Sequence, residues 1–482
     1  MHLQLHYLDL VAIVAYLALT VFIGIKVGGK PTDTSAYFTT KGTVPWWAAS
    51  FSIVATETSM LTVISAPTLA YFGSLVFLQI VIGYIIGRII VSFIILPSYF
   101  SGNQKTAYTF FHERFGPRFQ RLISFVFLIT RLLADGVRLF AAAIPIKLIT
   151  GFDYSTSILI IALLTLAYTY YGGLKSVIWI DVLQLFVYVI GGVYIVVHLY
   201  PEINAHSLHQ IYTQGKLTVF QMPHSLSDVF TKPFNIIGAI IGGMFLTMAS
   251  HGTDHIIVQR LLACPDLKSS RKALIYSGFF VFLQFLLFLS VGTFLYIHYQ
   301  GETLTQLGLH KVDEIFPHYI LNDLPPGITG FIIAGLFSAA MSTLSSSLSA
   351  LSSSTMFDLF PKLAERADSI KISRIFMLVW TLIFIIFAVS FTSTNSPVIE
   401  LGLGIAGFTY GALLGAFLIG RYTNFETTET LIGLISCIFF MTLIIIFGNI
   451  AWPWYTLFGV SIFAIVATVV HFIRIRFKLE TV

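Results

Sequence analysis

Thirteen apolar stretches, most of them long enough for a membrane-spanning helix, run through almost the whole chain and constrain its fold more than any other feature. A helix needs about 20 apolar residues to cross the hydrocarbon core of a bilayer. The stretches cover residues 6–25, 45–72, 76–99, 120–149, 155–171, 177–199, 233–260, 273–298, 328–355, 373–392, 397–420, 429–448 and 453–473. They predict an all-α polytopic membrane protein with about 13 transmembrane helices.

The composition of the 482 residues excludes several other classes of protein. Hydrophobic residues make up 56% of the chain and charged residues only 10%, whereas a soluble domain carries about 25% charged residues. So low a charged fraction rules out a soluble enzyme, a disordered chain and a nucleic-acid-binding protein. Two cysteines, Cys264 and Cys437, are too few for the disulfide framework of a secreted scaffold.

Lys and Arg residues are distributed unevenly between the two sides of the predicted membrane. If the N-terminus is external, 20 of the 27 fall in internal segments, 4 in external segments and 3 within spans. Positive residues concentrate in cytoplasmic loops, so we expect the N-terminus outside and the C-terminus inside. The external segments lack an N-x-[ST] glycosylation acceptor, which favours the bacterial inner membrane as the location.

The second apolar stretch is interrupted by Ala55, Thr56, Glu57, Thr58 and Ser59. A glutamate among small and hydroxyl residues builds a poor transmembrane helix. Unwinding at this point would free backbone carbonyls to bind a cation, as in the discontinuous helices of transporters. The alternative is a straight helix whose hydroxyls bond to their own preceding turns. We expect the helix to be unwound.

The ninth apolar stretch carries a hydroxyl on 10 of the 14 residues from Ser342 to Thr355. Four of them recur at helical spacing and form one oxygen-rich stripe: Ser342, Ser345, Ser346 and Ser349. Hard cations take hydroxyl and carbonyl oxygens as ligands. Packing between helices also uses small residues, but it does not require so many hydroxyls. The stripe therefore favours cation coordination.

Three charged side chains lie within the fourth apolar stretch, where they are costly. Arg131, Asp135 and Arg138 are four and three residues apart, which places them on one helix face. Asp135 can neutralise one arginine and leave one positive charge, for which Glu57 is a candidate partner. The set is either a closed structural network or a site where a guanidinium grips a substrate carboxylate. The candidate substrate residues are Glu57, Ser59, Thr62, Gln79, Arg131, Asp135 and Arg138.

The run from Tyr168 to Gln184, which contains Gly172-Gly173-Leu-Lys-Ser176, resembles the signature of the sodium:solute symporter family. The segments 55–59, 251–260 and 407–420 also resemble that family, as does the Ser-rich ninth stretch. The resemblance implies a leucine-transporter-like fold, in which two five-helix repeats are inverted about an axis in the membrane plane. The second and seventh spans would be the broken pair, with weak points in the seventh at Gly242-Gly243 and at 248–252.

The resemblance also divides the chain into parts. One extra helix would precede the repeats and two would follow them. The parts are an N-terminal helix and cytoplasmic loop (1–44), the first repeat (45–199), an external loop (200–232), the second repeat (233–421), and two C-terminal helices with a cytoplasmic tail (422–482).

Sodium sites are likewise implied by the resemblance. The principal site of the family corresponds here to Ala55, Thr58, Ala339, Ser342 and Thr343. A second sodium, which some members bind, would use Asp181, Ser342, Ser345 and Ser346. The residues alone leave Asp181 equally open as a helix-end anion. In one member an arginine of the fourth span holds the substrate carboxylate, and the arginines of this chain lie at offset positions.

These features predict a secondary active symporter that imports a small organic solute by alternating access, with Na⁺ as the coupling ion. The arginine pair favours an anionic or carboxylated solute. A proton-coupled symporter of the same fold, using Glu57 or Asp135, is one alternative, and an intramembrane transferase or a transporter-like sensor is a more distant one. We expect no enzymatic activity, no nucleic-acid partner and no obligate protein partner, only the solute and the lipid bilayer.

Overall fold

Residues 5–29, 31–101, 104–391 and 398–480 are described by the computed structural model. Within these ranges the chain consists of helices and loops, with no strand. Among the described residues, eight helices are long and apolar enough to cross a membrane, and the bent pair, if counted as one span, makes nine. The predicted all-α membrane fold is confirmed at this level. The count of 13 transmembrane helices and the sides of the membrane on which the two termini lie stay predictions. Residues 1–4, 392 and 397, which belong to those predicted segments, lie outside the described ranges.

Fourteen helices contain the predicted apolar stretches. They are α1 (Tyr7–Gly28), α2 (Trp46–Glu57), α3 (Met60–Phe72), α4 (Leu78–Ile94), α5 (Pro117–Thr150), α6 (Tyr154–Leu199), α7 (Ile236–Gly252), α8 (His255–Leu262), α9 (Leu267–His298), α10 (Ile328–Ser354), α11 (Ser369–Ser390), α12 (Val398–Tyr422), α13 (Thr427–Phe447) and α14 (Tyr455–Glu480). Shorter α-helices occupy the loops at Thr34–Thr39, Thr109–Phe115, Ala205–Thr213, Leu226–Thr231, Ile315–Asn322 and Pro361–Ala364.

The second predicted span is broken, as its sequence indicates. α2 ends at Glu57 and α3 begins at Met60, and the two helices are bent by 66°. Thr58 and Ser59 between them have extended backbone, with ψ of 93° and 168°. The straight-helix alternative is therefore wrong. Carbonyl oxygens in the last turn of α2 lose their helical partners and become available to other groups.

The seventh predicted span is also interrupted, but not quite where we expected. α7 ends at Gly252 and α8 begins at His255, so the break falls on Thr253 and Asp254, just beyond the 248–252 segment. The side chain of Asp254 caps α8 by accepting a hydrogen bond from the backbone N–H of Ile256 at 2.9 Å.

The expected weak point at Gly242-Gly243 is wrong, because both residues lie inside continuous α7. A Cβ at Gly242 would lie 2.5 Å from the Cβ of Pro453, and one at Gly243 would lie 2.5 Å from the carbonyl oxygen of Ile80. The two glycines therefore allow close packing of neighbouring segments instead of unwinding.

The fifth and sixth predicted spans run directly into each other in α6 and meet at a sharp kink. Gly173 lies at this kink with φ of 59°, a conformation that is inexpensive only for glycine. A Cβ on Gly173 would lie 2.4 Å from the carbonyl oxygen of Tyr37. Its neighbour Gly172 packs directly against Gly28 of α1. The Gly-Gly pair of the family-like signature thus sets the bend and the approach of α1.

The hydroxyl-rich helix α10 lies at the centre of the bundle, and every residue from Ile332 to Ser354 is buried. Several of its hydroxyls bond to its own preceding turn: Ser346 Oγ donates to the carbonyl oxygen of Ser342 at 2.7 Å, and Ser347 Oγ to that of Thr343 at 3.1 Å. These internal bonds let a polar helix remain buried. They leave only some of the hydroxyls to reach other helices.

Candidate functional site

The break between α2 and α3 lies against the hydroxyl-rich face of α10. Ser59 N–H donates to the carbonyl oxygen of Glu57 and not to that of Ala55, its partner in a continuous helix. Ser342 Oγ of α10 donates to the freed carbonyl oxygen of Ala55 at 2.9 Å. Thr343 Oγ1 lies 3.4 Å from the carbonyl oxygen of Thr56. Two hydroxyls of α10 therefore meet the backbone oxygens that the break releases.

Four of the five residues predicted for the first sodium site come together here. The carbonyl oxygen of Ala339 lies 3.2 Å from Ser342 Oγ and 3.4 Å from Thr343 Oγ1. The site thus contains two carbonyl oxygens, from Ala55 and Ala339, and two hydroxyl oxygens, from Ser342 and Thr343. None of these four ligands is a carboxylate. Such neutral oxygen ligands suit a hard monovalent cation better than a transition metal. The described residues also contain no cluster of three His, Cys, Asp or Glu side chains.

Thr58, the fifth predicted residue, directs its side chain elsewhere. Its Oγ1 accepts from Gln284 Nε2 at 2.7 Å and donates to Gln284 Oε1 at 2.9 Å. Only the backbone carbonyl of Thr58 is therefore a candidate ligand.

Asp181 is completely buried in α6 and already has a cationic partner. Its Oδ2 accepts from Ser52 Oγ at 2.6 Å and from Arg260 Nη2 of α8 at 2.9 Å. Arg260 also donates to Ser346 Oγ, which lies 3.0 Å from Thr56 Oγ1. The helix-end interpretation of Asp181 is wrong, since the residue lies inside a network that joins α2, α6, α8 and α10.

The other oxygen of Asp181, Oδ1, is buried without a hydrogen-bond partner in the described part of the chain. Buried acceptors are nearly always satisfied, so this oxygen is fit to receive a ligand. Ser345, predicted for the same site, donates to the carbonyl oxygen of Ser342 at 3.1 Å. Arg260 was missed as an individual residue, although the segment 251–260 belongs to the family-like stretches.

The charges of the fourth span lie on one face of α5 and interact, as predicted. Arg138 Nη1 lies 3.0 Å and Arg131 Nη1 3.4 Å from Asp135 Oδ1. Arg131 is held more closely by Asp254, whose Oδ2 lies 2.8 Å from Nε and 2.5 Å from Nη2. The hydroxyl of Tyr410 lies between them, 2.7 Å from Arg131 and 2.9 Å from Asp254.

Asp254 changes the charge balance that we expected. Helix spacing within α5 predicts one uncompensated positive charge beside Asp135, with Glu57 as its candidate partner. Glu57 instead pairs with Arg88 of α4, and its Oε2 lies 3.5 Å from His251 Nε2. Both expectations are wrong because Arg88 comes from α4 and Asp254 from the break between α7 and α8, which helix spacing within α5 does not reveal.

Gln79 does not join the other candidate substrate residues. Its Nε2 donates to the carbonyl oxygens of Val76 and Phe234 at 3.1 and 3.2 Å, and its Oε1 accepts from Gln221 N at 3.2 Å. These bonds satisfy the side chain and attach the start of α4 to the loop before α7. The structure therefore gives Gln79 a structural role.

A cavity lies between the α2–α3 break, α5, α7 and the start of α8, with about 870 Å³ of empty space including the part that opens to solvent. The predicted substrate residues that line it are Glu57, Ser59, Thr62, Arg131 and Arg138, together with Thr343 of the candidate sodium site. Asp135 lies behind Arg138 and accepts from Ser347 Oγ at 2.5 Å.

Comparison with known proteins reveals a family likeness over most of the chain. Residues 37–453 match the model of the sodium:solute symporter family. The chain is 25% identical over 433 residues to the sodium/sialic acid symporter SiaT of Proteus mirabilis, covering 88% of this chain and 86% of that protein. It is 26% identical over 428 residues to the human sodium-coupled monocarboxylate transporter 2, covering 86% and 67% of the two chains.

Among solved structures, the fold resembles the substrate-bound outward-open state of a Na⁺-coupled sialic acid symporter. The TM-score is 0.84 with 23% sequence identity, over 97% of this chain and 98% of that one. At this level of identity the likeness establishes a shared fold.

Proposed function

This chain belongs to the sodium:solute symporter family, and we propose that it imports a small organic solute together with sodium by alternating access. Family membership confirms four predictions: the family itself, the assignment to transporters instead of enzymes, Na⁺ as the coupling ion, and a membrane location. The direction of transport, the solute and the residues that bind each cargo are our proposal.

The observation that carries the proposal is the meeting of the α2–α3 break with α10. Sodium would bind the carbonyl oxygens of Ala55 and Ala339 and the hydroxyls of Ser342 and Thr343, with the Thr58 carbonyl as a fifth ligand. Ser342 Oγ donates a hydrogen bond to the carbonyl oxygen of Ala55. A cation bound between Ser342 Oγ and the carbonyl oxygen of Ala55 would instead be coordinated by a lone pair of each oxygen. Sodium would thus hold the broken helix to α10, and it drives the cycle only if this contact differs between states.

We propose a second, weaker sodium site at Asp181, with Ser342, Ser345 and Ser346. The buried and unpartnered Oδ1 of Asp181 supports it. Arg260 already neutralises the same carboxylate across 2.9 Å, so an added cation would have to share that negative charge. We therefore expect the second ion to bind less tightly than the first.

For the solute, we propose a carboxylate that binds Arg138. Its guanidinium lines the cavity, and its planar fork can hold a carboxylate through two hydrogen bonds. The name of one relative, a monocarboxylate transporter, is consistent with such a substrate. Proton coupling through Glu57 or Asp135 is less favoured, because each carboxylate already forms an ion pair with an arginine.

We further propose 13 spans in the bacterial inner membrane, with the N-terminus outside and the domain boundaries given above. The first repeat would contain α2 to α6 and the second α7 to α12. This division is supported by the position of the two broken segments, α2–α3 and α7–α8, because each opens one of the proposed repeats.

Purified protein in liposomes tests the function. With a candidate solute trapped inside, an inward sodium gradient should accelerate exchange of labelled external solute, and an equal potassium gradient should not. Solute accumulation that is unaffected by sodium but follows a proton gradient would contradict the proposal and favour the proton-coupled alternative.

A further inference from the structure

Two charged side chains of opposite sign reach the same cavity. Among the Asp, Glu, Lys and Arg residues described around it, Glu57 and Arg138 keep the largest exposed side-chain fractions, 19% and 16%. Arg131, which also lines the cavity, is 7% exposed. A ligand in this cavity therefore meets one carboxylate and one guanidinium that remain accessible.

Glu57 offers one free oxygen to the cavity. Its Oε2 bonds to Arg88 and lies 3.5 Å from His251 Nε2. Its Oε1 makes no hydrogen bond within the described ranges and is not among their buried, unpartnered atoms. Glu57 is also the last residue of α2, where the helix macrodipole adds partial negative charge. This end of the cavity favours a cationic group.

Arg138 offers spare donors to the cavity. Within the described part of the chain, its one hydrogen bond runs from Nη1 to Asp135 Oδ1 at 3.0 Å. A guanidinium has five N–H donors, so several are left for a ligand. Asp135 itself is 1% exposed and lies outside the cavity lining, so a ligand meets the positive member of this pair.

The described charges around the cavity balance one another in three pairs: Glu57 with Arg88, Arg131 with Asp254, and Arg138 with Asp135. A solute that is only an anion would face the free oxygen of Glu57 in a medium of low dielectric constant, where repulsion is strong. A solute that is only a cation would face Arg138 in the same way. A solute that carries both groups meets an opposite charge at each.

We propose that the substrate is a small zwitterion whose carboxylate binds Arg138 and whose cationic nitrogen binds Glu57. This inference rests on the proposed transport function and refines its substrate class. The rings of Phe77 and Tyr84 also line the cavity, and aromatic faces favour a cationic nitrogen. The overall neutrality of the solute explains why the arginines of the site carry carboxylate partners of their own.

The test compares solutes that share one carbon skeleton and differ only in charge. Amino carboxylates and N-methylated betaines are each measured beside the corresponding amine and the corresponding carboxylic acid, by melting temperature in sodium and by sodium-driven uptake into liposomes. We expect only the zwitterions to raise the melting temperature and to compete for uptake. An equal or larger effect of the carboxylic acids overturns the inference.

Substitutions of Glu57 and Arg138 test which side chain binds each charged group of the solute. Glu57→Gln should lower selectivity for a zwitterion over its carboxylic acid about tenfold, and Arg138→Gln should lower selectivity over its amine by a similar factor. Glu365→Gln and Arg121→Gln, which change exposed charges outside the cavity, should alter neither ratio. Unchanged selectivity in both cavity variants overturns the inference. Should either variant fail to fold, the solute comparison on the unaltered protein decides alone.

The result also separates this inference from the proposed function. If sodium alone raises the melting temperature and no zwitterion does, the zwitterion inference fails and sodium coupling survives. If zwitterions bind and are taken up without any effect of sodium, sodium coupling fails and the substrate class survives.

Discussion

Arg260 of α8 and Asp181 of α6 form an ion pair with 2.9 Å between Nη2 and Oδ2, and both side chains are completely buried. The carboxylate proposed for the second sodium thus has a cationic neighbour before any ion binds. Its free oxygen, Oδ1, is the atom left for sodium. The two oxygens of one carboxylate would therefore serve a structural arginine and a transported ion at once.

Asp181→Asn should lower stability as well as sodium stoichiometry. The change leaves the guanidinium of Arg260 buried and unpaired, which costs about 3–5 kcal/mol. The double variant Asp181→Asn with Arg260→Gln removes both charges and should recover much of the melting temperature. Recovered stability with a reduced charge-to-solute ratio in liposomes would support the second site. If the double variant keeps the charge-to-solute ratio of the unaltered protein, Asp181 is only a structural partner of Arg260.

Ser342→Ala and Thr343→Ala should each raise the sodium concentration for half-maximal uptake. Each removes one hydroxyl ligand, and a loss of about 1.4 kcal/mol corresponds to a tenfold change in affinity. Ser352→Ala is the matched control, because this hydroxyl lies on the same helix and has no hydrogen-bond partner within the described ranges. If the sodium activation curves of the three variants coincide, Ser342 and Thr343 do not bind sodium, and the proposed first site is wrong.

The local composition of the chain was sufficient to predict the break in the second span and the hydroxyl-rich ninth span. The break at Thr58 follows from a glutamate among hydroxyl residues, whereas the individual residues proposed for the first site, Thr343 among them, came from the family resemblance. The partners Arg88, Asp254 and Arg260 could not be predicted, because each reaches its carboxylate or arginine from a different segment of the chain, between 31 and 123 residues away. Their identity depends on how the helices assemble, which periodicity within one helix does not encode.

Arg138 and Arg131 should respond differently to loss of their guanidinium groups. Arg138→Lys should weaken solute binding about tenfold with little effect on melting temperature, since an ammonium cannot make a bidentate contact. Arg131→Gln should mainly lower the melting temperature, because Asp254 would lose a partner that lies 2.5 Å away. Uptake at several solute concentrations, together with melting curves, distinguishes the two. Equal effects on affinity would mean that both arginines contact solute.

Double substitution of Arg138 and Asp135 by Leu provides the control for this prediction. If the pair is only structural, removing both charges should restore yield and uptake together. Yield that recovers while uptake stays lost would instead place Arg138 in the binding site.

Gly173→Ala should lower the melting temperature more than Gly151→Ala. Both glycines have positive φ, 59° and 74°. Gly151 has the left-handed conformation, which costs other residues about 1–2 kcal/mol, whereas the ψ of −155° at Gly173 belongs to a region that is essentially restricted to glycine. Only at Gly173 would the new Cβ also meet the Tyr37 carbonyl at 2.4 Å, whereas Gly151 has open space. Equal melting temperatures for the two variants would show that the kink of α6 can relax.

The buried ion pairs also impose an order on how this chain is made. Arg131 precedes Asp254 by 123 residues, and Asp181 precedes Arg260 by 79. When α5 and α6 leave the ribosome, Asp254 and α8, which complete the two pairs, have yet to be synthesised. A charge left alone in the bilayer is costly. We therefore expect the first half of the chain to stay with the insertion machinery until Asp254 and Arg260 have been inserted beside it.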